Sequence, residues 1–118
     1  MVERMEQKPP TPPIEAAHAE LLKSSPSFPL ADTRDFADAD RGFLGKLSPC
    51  VVTAADGRVV WDNDAYDFLD GPAPTSVHPS LWRQSQLCAK QGLYEVVADG
   101  IYQVRGLDLS NISFIEGD

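Results

Sequence analysis

Apolar residues recur at helical spacing in two stretches near the beginning of the chain. The first stretch predicts a short helix over residues 14–23, whose apolar face would hold Ile14, Ala17 and Leu21. The helix would follow Pro9, Pro10, Pro12 and Pro13, which favour an extended backbone exposed to water. The second stretch predicts a helix that begins at Asp32 or Thr33 and ends before Ser48-Pro49. Its apolar stripe would be formed by Phe36, Phe43, Leu44 and Leu47.

Two Asp-Gly dipeptides lie between short runs of β-branched and aromatic residues and predict two tight hairpins. They are Asp56-Gly57 and Asp99-Gly100. An Asp-Gly pair tolerates positive φ at both turn positions, as a two-residue hairpin requires. The predicted hairpin strands are residues 50–54, 58–61, 93–97 and 101–105. Residues 112–115 predict one more strand after a polar loop.

Capping signals predict two more helices between these hairpins. Asp62 or Asn63 can cap a short helix over residues 64–70. Pro79 suits the first turn of a further helix because its missing N–H leaves no intrahelical bond unmade there, and Gly92 would stop that helix. Helices together with antiparallel hairpins indicate an α+β fold.

Charge and composition exclude several classes of partner. A formal net charge of −8 over 118 residues argues against nucleic-acid binding, which requires clustered lysine and arginine. No stretch approaches the roughly 20 apolar residues of a membrane-spanning helix, so we expect no membrane span. The beginning of the chain lacks the apolar run of a signal peptide, so we expect a cytoplasmic protein.

The chain offers few residues for a metal site or a nucleophile. Its histidines, His18 and His78, lie far apart, and no His-x-His or His-Glu-x-x-His pattern is present. No Gly-x-Ser-x-Gly elbow occurs either. Cys50 and Cys88 would allow one disulfide, but without an export signal two reduced, packed thiols are favoured. We therefore predict no catalytic residue and no metal ligand in this chain.

Aspartates cluster near the beginnings of two predicted helices. The two clusters are Asp32, Asp35, Asp38 and Asp40, and Asp62, Asp64, Asp67 and Asp70. Neither has the glycine and glutamate of a calcium-binding loop in register. Carboxylates stabilise the positive end of a helix dipole, so we predict capping and solvation.

The polar loop over residues 106–111, with the arginine before it, carries groups suited to binding. Arg105, Asp108 and Asn111 contribute a cation, a carboxylate and an amide. Composition alone favours an ordinary connection between strands. A planar guanidinium also matches a tetrahedral oxyanion such as sulfate, so Arg105 is a candidate anion ligand.

Residues 78–87, His-Pro-Ser-Leu-Trp-Arg-Gln-Ser-Gln-Leu, resemble a helix of the linear primary-alkylsulfatases, enzymes with a metallo-β-lactamase fold. The family sequence there is Asn-Pro-Ser-Leu-Trp-Arg-Gln-Ala-Gln-Leu, so His78 replaces an asparagine. The segments that continue the likeness are residues 35–43, 57–62, 92–96 and 100–118. The likeness covers about residues 32–118, is most specific from Pro79 onward, and does not extend to residues 1–31.

The resemblance implies zinc-dependent hydrolysis of alkyl sulfates such as dodecyl sulfate to an alcohol and inorganic sulfate. In this family two zinc ions lie in an αββα sandwich, bound by a His-x-His-x-Asp-His loop and later His and Glu residues that would follow Asp118. The resemblance therefore implies that this chain is an N-terminal fragment, that it binds no cofactor and that it is inactive by itself. In this fold, the loop that follows the first strand of the sandwich borders the metal site. Pocket-lining roles are thus implied for Arg105, Asp108, Ser110 and Asn111.

The expected organisation has three regions, and the fold would be the N-terminal helices and hairpins of an incomplete αββα sandwich. The regions are a flexible proline-rich arm (1–31), a helical and hairpin region (32–91) and the first strands of a truncated metallo-β-lactamase-like domain (92–118). The family forms homodimers through a helical domain that would also follow residue 118. Two alternatives stay open: a non-catalytic module that docks on a partner chain through the edge near residues 112–115, or a remnant without function.

Overall fold

The computed structural model describes residues 9–24 and 27–117 as a mixture of helices and antiparallel strands. The helices are α1 (Pro12–Ser24), α2 (Arg34–Asp40) and α3 (Pro79–Cys88), with a 3₁₀ helix at Asp64–Leu69. The strands are β1 (Phe43–Gly45), β2 (Val51–Thr53), β3 (Val59–Asp62), β4 (Gly92–Val97), β5 (Ile101–Arg105) and β6 (Ile112–Ile115). The predicted α+β fold class is confirmed. None of the helices in these two ranges is long and apolar enough to cross a membrane.

The strands of the described residues form two antiparallel sheets. The larger sheet has the order β1-β4-β5-β6, and the smaller one is the hairpin of β2 and β3. Both predicted hairpins are present, but their turns differ from the predicted two-residue type with positive φ at both positions. Only Gly57 (84°) has a positive φ in the first turn and only Asp99 (55°) in the second. The predicted strand over residues 112–115 is confirmed as well, since β6 pairs with β5 from Ile101↔Ile115 to Val104↔Ile112.

The core of the described residues is small. Cys50, Leu69 and Tyr94 are its buried apolar side chains, exposed by 1%, 7% and 2%. The Tyr94 ring packs edge-on against Phe43, with ring centroids 5.6 Å apart. The Cys50 amide donates a hydrogen bond to the Asp64 carboxylate at 3.1 Å, which fixes the smaller sheet to the 3₁₀ helix. A few contacts thus hold the two sheets and the helices together.

The predicted helix after Asp32 is wrong in its second half. α2 ends at Asp40, and the apolar residues Phe43 and Leu44 lie in β1. Gly42 has a φ of 73°, which a right-handed helix cannot contain, and a Cβ atom there would clash with the Glu95 carbonyl oxygen. Pairing of Phe43 with Tyr94 across the sheet therefore replaces the helical stripe.

Other boundaries also differ from the prediction. α1 begins at Pro12, so the extended proline segment does not include Pro12 and Pro13, while residues 1–8 lie outside the described residues. The helix after Asn63 is of the 3₁₀ type, and α3 ends at Cys88, before Gly92. The division into an arm and two further regions stays a prediction.

Side chains at or just before the N-cap accept free amides at the beginning of α2, of α3 and of the 3₁₀ helix. Asp32 accepts from the amide of Arg34 at 2.9 Å, and Asp62 accepts from the amide of Ala65 at 3.1 Å. His78 accepts from the amide of Ser80 through its Nδ1 at 3.2 Å. This is the bond that an N-cap asparagine would make, so His78 is a structural replacement for that residue. Asp32 and Asp62 thus accept amides at the two helix beginnings as predicted, whereas the N-cap residues Thr33 and Asn63 make no side-chain cap.

Candidate functional site

A cavity of about 870 Å³ lies between the larger sheet, the 3₁₀ helix and α3. The sheet contributes Tyr94, Gln103 and Arg105, which lie on one face of β4 and β5. The 3₁₀ helix and α3 contribute an apolar wall. Trp61 of β3 and Val77, just before α3, extend this wall. The apolar and aromatic side chains that line the cavity here are Trp61, Tyr66, Phe68, Leu69, Val77, Leu81 and Trp82.

Hydrogen bonds fix the apolar wall. The Trp82 indole N–H donates to the Gly71 carbonyl at 3.0 Å, and the Gln86 amide donates to the Leu69 carbonyl at 2.8 Å. The Trp82 ring lies 6.1 Å from the Phe68 ring, centroid to centroid. α3 and the 3₁₀ helix are therefore held at a defined separation, with aromatic rings toward the cavity.

Two cationic side chains line the cavity, and Arg105 is the one without an ion pair among the described residues, since Lys90 pairs with Asp40 at 2.7 Å. Its guanidinium carbon lies 4.3 Å from the centroid of the Tyr94 ring, a cation–π contact, and its Nε donates to the Gln103 side chain at 2.6 Å. Within residues 9–24 and 27–117 no carboxylate forms an ion pair with Arg105. Burial raises the pKa of Tyr94, and the Asp40 carboxylate adds to this, so the phenol beneath Arg105 is neutral at neutral pH. Among the described residues no acceptor takes the outer N–H groups of the guanidinium, which are left for a ligand.

The loop over residues 106–111, hereafter the site loop, depends on a close backbone approach at Gly106. Its φ is 76°, and a Cβ atom there would lie 2.8 Å from the Cα of Gln91 and nearer still to the Lys90 carbonyl oxygen. Only glycine fits such a position. This approach brings the loop against the end of α3, where Lys90 also lines the cavity.

The predicted pocket residues divide into two groups. Arg105, Asp108 and Asn111 line the cavity, whereas Ser110 of the same loop is not among its lining residues. The Asp108 carboxylate accepts a hydrogen bond from the Leu109 amide at 2.6 Å, so one of its carboxylate oxygens already has a hydrogen-bond donor within the loop. The structure thus brings three of the four residues to one cavity.

Sequence reasoning missed the aromatic wall as part of a site. Trp61 and Trp82 come from different elements, and only the folded chain brings both to the same cavity. The signal that could have found Trp82 was its place in the Pro-Ser-Leu-Trp-Arg segment. Nothing in the sequence around Trp61 or Lys90 indicates that either lines a cavity.

The arrangement suits an amphiphilic anion. One end of the cavity offers an unpaired guanidinium with a planar donor edge, and the rest offers aromatic and aliphatic surface. Such a cavity can bind and orient a ligand that has a charged head and an apolar tail. None of the described lining residues is an activated nucleophile.

Similar proteins decide the family. The chain is 44% identical over 117 residues to the (R)-specific secondary-alkylsulfatase of a Pseudomonas species. This match covers 98% of the chain, so the likeness also extends into residues 1–31, contrary to expectation. It is 47% identical over 98 residues to an alkyl/aryl-sulfatase of Saccharomyces cerevisiae and 44% identical over 112 residues to a linear primary-alkylsulfatase of Pseudomonas. The solved structure of a stereoselective inverting sec-alkylsulfatase from Pseudomonas matches 98% of the chain at 45% identity with a TM-score of 0.81.

This chain belongs to the alkylsulfatase family. No family model matches it. The chain spans 15 to 17% of the length of these curated alkylsulfatases and 18% of the solved alkylsulfatase chain. It therefore corresponds to a small segment of its relatives.

The described residues of this alkylsulfatase segment do not fit a zinc site. No three His, Cys, Asp or Glu side chains in the described ranges come together in a way that could hold a metal ion. His78 uses its Nδ1 for the cap of α3, and His18 lies on α1, in a different element. No step of a reaction can be derived through zinc from these residues.

The two cysteines of the segment are free thiols, as predicted. Cys50 is buried, and burial, followed by the Asp64 and Asp62 carboxylates, raises the pKa of its thiol. Cys88 is exposed, so the expectation that both thiols are packed is wrong for Cys88. Burial at Cys50 serves the core and gives no sign of a reactive nucleophile.

Proposed function

We propose that this chain is the N-terminal part of a zinc-dependent alkylsulfatase, an enzyme that hydrolyses alkyl sulfate esters to an alcohol and sulfate. The observation that carries the proposal is the identity of 44 to 47% with alkylsulfatases over 82 to 98% of the chain. An amphiphilic cavity with an unpaired arginine supports it, because an alkyl sulfate has an anionic head and an apolar tail.

In this proposal the segment positions substrate. Arg105 binds the sulfate head through its outer N–H groups, and the site loop, with Asp108 and Asn111, shapes the same end of the cavity. The wall that contains Phe68, Leu81 and Trp82 accepts the alkyl chain. These contacts orient the ester, and none of these residues is the nucleophile.

Zinc and dimerisation belong, in this proposal, to parts of the alkylsulfatase that this chain does not contain. Two zinc ions would supply a bound hydroxide and offset the charge of the sulfate ester. Their ligands and the homodimer interface would come from segments present in the relatives beyond the 15 to 17% that this chain spans. We therefore also propose that the isolated chain does not hydrolyse alkyl sulfates.

The test is a hydrolysis assay on the purified chain with added zinc and with dodecyl sulfate below its micellar concentration. We expect no release of sulfate above a blank without protein. The Pseudomonas (R)-specific secondary-alkylsulfatase, with its own substrate, serves as the positive control. Zinc-dependent turnover by the isolated chain would refute the proposal that it lacks part of the catalytic machinery.

A further inference from the structure

Lys90 is a second cation beside Arg105, and an acidic side chain outside the cavity that they share holds it. Lys90 and Arg105 both line the cavity of about 870 Å³, hereafter the first cavity. The Lys90 ammonium donates to the Asp40 carboxylate at 2.7 Å. Asp40 does not line the first cavity and lies instead on a second cavity of about 860 Å³, which Lys90 also lines. The lysine therefore stands between two cavities, and its charge is paired on the side of the second.

An aromatic contact agrees with this placement of the ammonium. The Lys90 nitrogen lies 6.0 Å from the centroid of the Phe36 ring, a distance at which the ring face attracts a cation. Phe36 lines the second cavity and does not line the first. Asp40 and Phe36 thus both hold the ammonium away from the first cavity, and Asp40 is the charged one of the two.

The first cavity is left with one unpaired cation. Its charged lining residues, within the described parts of the chain, are Lys90, Arg105 and Asp108. Because Asp40 neutralises Lys90, a ligand meets the Arg105 guanidinium and the Asp108 carboxylate. A head group with one negative charge can pair with Arg105, but a second negative charge would be repelled by Asp108 with no unpaired cation to offset it.

This balance of charge distinguishes two tetrahedral esters of nearly the same shape. An alkyl sulfate carries one negative charge, whereas a phosphate monoester loses a second proton near pH ~6 and carries two charges above it. The free energy needed to take an anion out of water rises steeply with its charge. The doubly charged phosphate ester therefore loses more on entering the first cavity and finds no second cation there.

We propose that Asp40 is a specificity-determining residue: by holding the Lys90 ammonium away from Arg105, it restricts the first cavity to head groups with one negative charge and so selects sulfate esters against phosphate monoesters. The inference rests on the proposed function, in which this cavity receives the ester head. It goes beyond that function because it assigns a role to a residue outside the cavity. Asp40 acts through Lys90 and does not touch the ligand, so it is a positioning residue.

The experiment compares octyl sulfate with octyl phosphate, both below their micellar concentrations, on the full chain. Intrinsic fluorescence follows binding, since Trp61 and Trp82 line the first cavity. At pH 8 we expect octyl sulfate to bind at least about tenfold more tightly than octyl phosphate. At pH 5.5 most of the phosphate ester has a single charge, so this margin should narrow. Equal or tighter binding of octyl phosphate at pH 8 would overturn the proposal.

Asp40→Asn should release the ammonium and change the preference. Electrostatic attraction is proportional to the charge of the ligand, so a gain of about threefold for the sulfate ester corresponds to about tenfold for the doubly charged phosphate ester. We expect these two factors at pH 8, and about threefold for both ligands at pH 5.5. A general loosening of the fold would weaken both ligands instead. An unchanged ratio of the two affinities at pH 8 would contradict the role of Asp40.

Asp38→Asn is the matched control for this substitution. Asp38 also lies in α2, pairs with Arg41 and lines neither cavity, so its removal changes the net charge equally and should leave the ratio unchanged. Addition of Lys90→Gln to Asp40→Asn should abolish the gain for octyl phosphate. If Asp38→Asn shifts the ratio as much as Asp40→Asn, or if the gain persists without Lys90, the pair of Asp40 and Lys90 does not set the preference.

The titrations also separate this inference from the proposed function. If octyl sulfate binds more tightly by a margin that Asp40→Asn does not alter, the cavity remains an ester site and the role of Asp40 is rejected. If the unmodified chain binds neither amphiphile, both are rejected. Hydrolysis of dodecyl sulfate by the isolated chain would contradict the proposed function alone, because the ratio of affinities would still test Asp40.

Discussion

Arg105 is the residue on which the proposed substrate contact depends. Its guanidinium stacks on Tyr94 at 4.3 Å and has no ion-pair partner among the described residues, so a sulfate head would meet a charge that is already positioned. Preorganisation of this kind lowers the entropy lost when a ligand binds. The arginine therefore contributes affinity without first breaking a salt bridge.

Binding of octyl sulfate below its micellar concentration should depend on this residue. Both tryptophans, Trp61 and Trp82, line the cavity, so intrinsic fluorescence reports its occupation directly. We expect Arg105→Gln to weaken binding about 10- to 100-fold, because a charge-assisted hydrogen bond contributes about 1.5–3 kcal/mol.

Two comparisons control this titration. Arg58→Gln removes an arginine from the exposed β2–β3 turn, away from the cavity lining, and should bind like the unmodified chain. Octanol carries no charge, so it should bind the unmodified chain and Arg105→Gln with the same affinity. Equal affinity of octyl sulfate for the unmodified chain and Arg105→Gln would remove Arg105 from the proposed site.

At the scale of elements, Arg83 joins α2 to α3. Its guanidinium donates to the Asp35 carboxylate and to the Asp32 carbonyl, each at 2.8 Å, and lies 5.2 Å from the centroid of the Phe36 ring. The Asp35 side chain is 63% exposed, so water weakens that ion pair. The part-buried hydrogen bond to the Asp32 carbonyl is less exposed to water and is therefore the larger part of the link.

Arg83→Lys should therefore loosen α2. A lysine ammonium cannot reach both oxygens with the fixed geometry of a guanidinium, and we expect a loss of about 1 kcal/mol in the free energy of unfolding. Amide hydrogen exchange should become faster in α2 than in β4 and β5. Arg34→Lys is the control, because the Arg34 side chain is 85% exposed and should contribute little. Uniform acceleration along the whole chain would show that Arg83 acts on global stability instead.

Local chemistry explains which elements could be predicted from the sequence. The two hairpins follow from Asp-Gly turns, and the beginning of α3 follows from Pro79, since these signals act over a few residues. Phe43 and Leu44 fit a helical stripe equally well, and their place in β1 is decided by pairing with β4, about fifty positions along the chain. The spacing of apolar residues along the chain cannot predict pairing between strands so far apart in sequence.

The candidate site divides in the same way. The site loop was found because a cation, a carboxylate and an amide lie within one short segment. The aromatic wall was not, because Trp61, Phe68 and Trp82 come from three elements that meet only in the folded chain. A ligand site formed between elements leaves no local signal in a single sequence.

At the scale of the whole molecule, the chain is extended for its length. Its radius of gyration is 18.0 Å, whereas a compact domain of 118 residues is expected to measure about 13.5 Å. The buried core of the described residues is correspondingly small, and two of its members, Cys50 and Tyr94, carry ionisable groups. Stability should therefore depend on the protonation of the core itself.

Alkaline pH should destabilise the whole molecule for this reason. Burial raises the pKa of both Cys50 and Tyr94, so the folded chain holds these two protons more tightly than the unfolded chain. The stabilisation is complete below the unfolded thiol value of 9.0 and is lost as the pH rises through the folded values. We expect the midpoint of thermal unfolding, followed by circular dichroism, to fall steadily above about pH 9. A Cys50→Ala, Tyr94→Phe double variant lacks both groups and should lose most of this dependence, although its stability at pH 7 will be lower. If the double variant and the unmodified chain lose stability in parallel between pH 8 and pH 11, the buried thiol and phenol are not the cause.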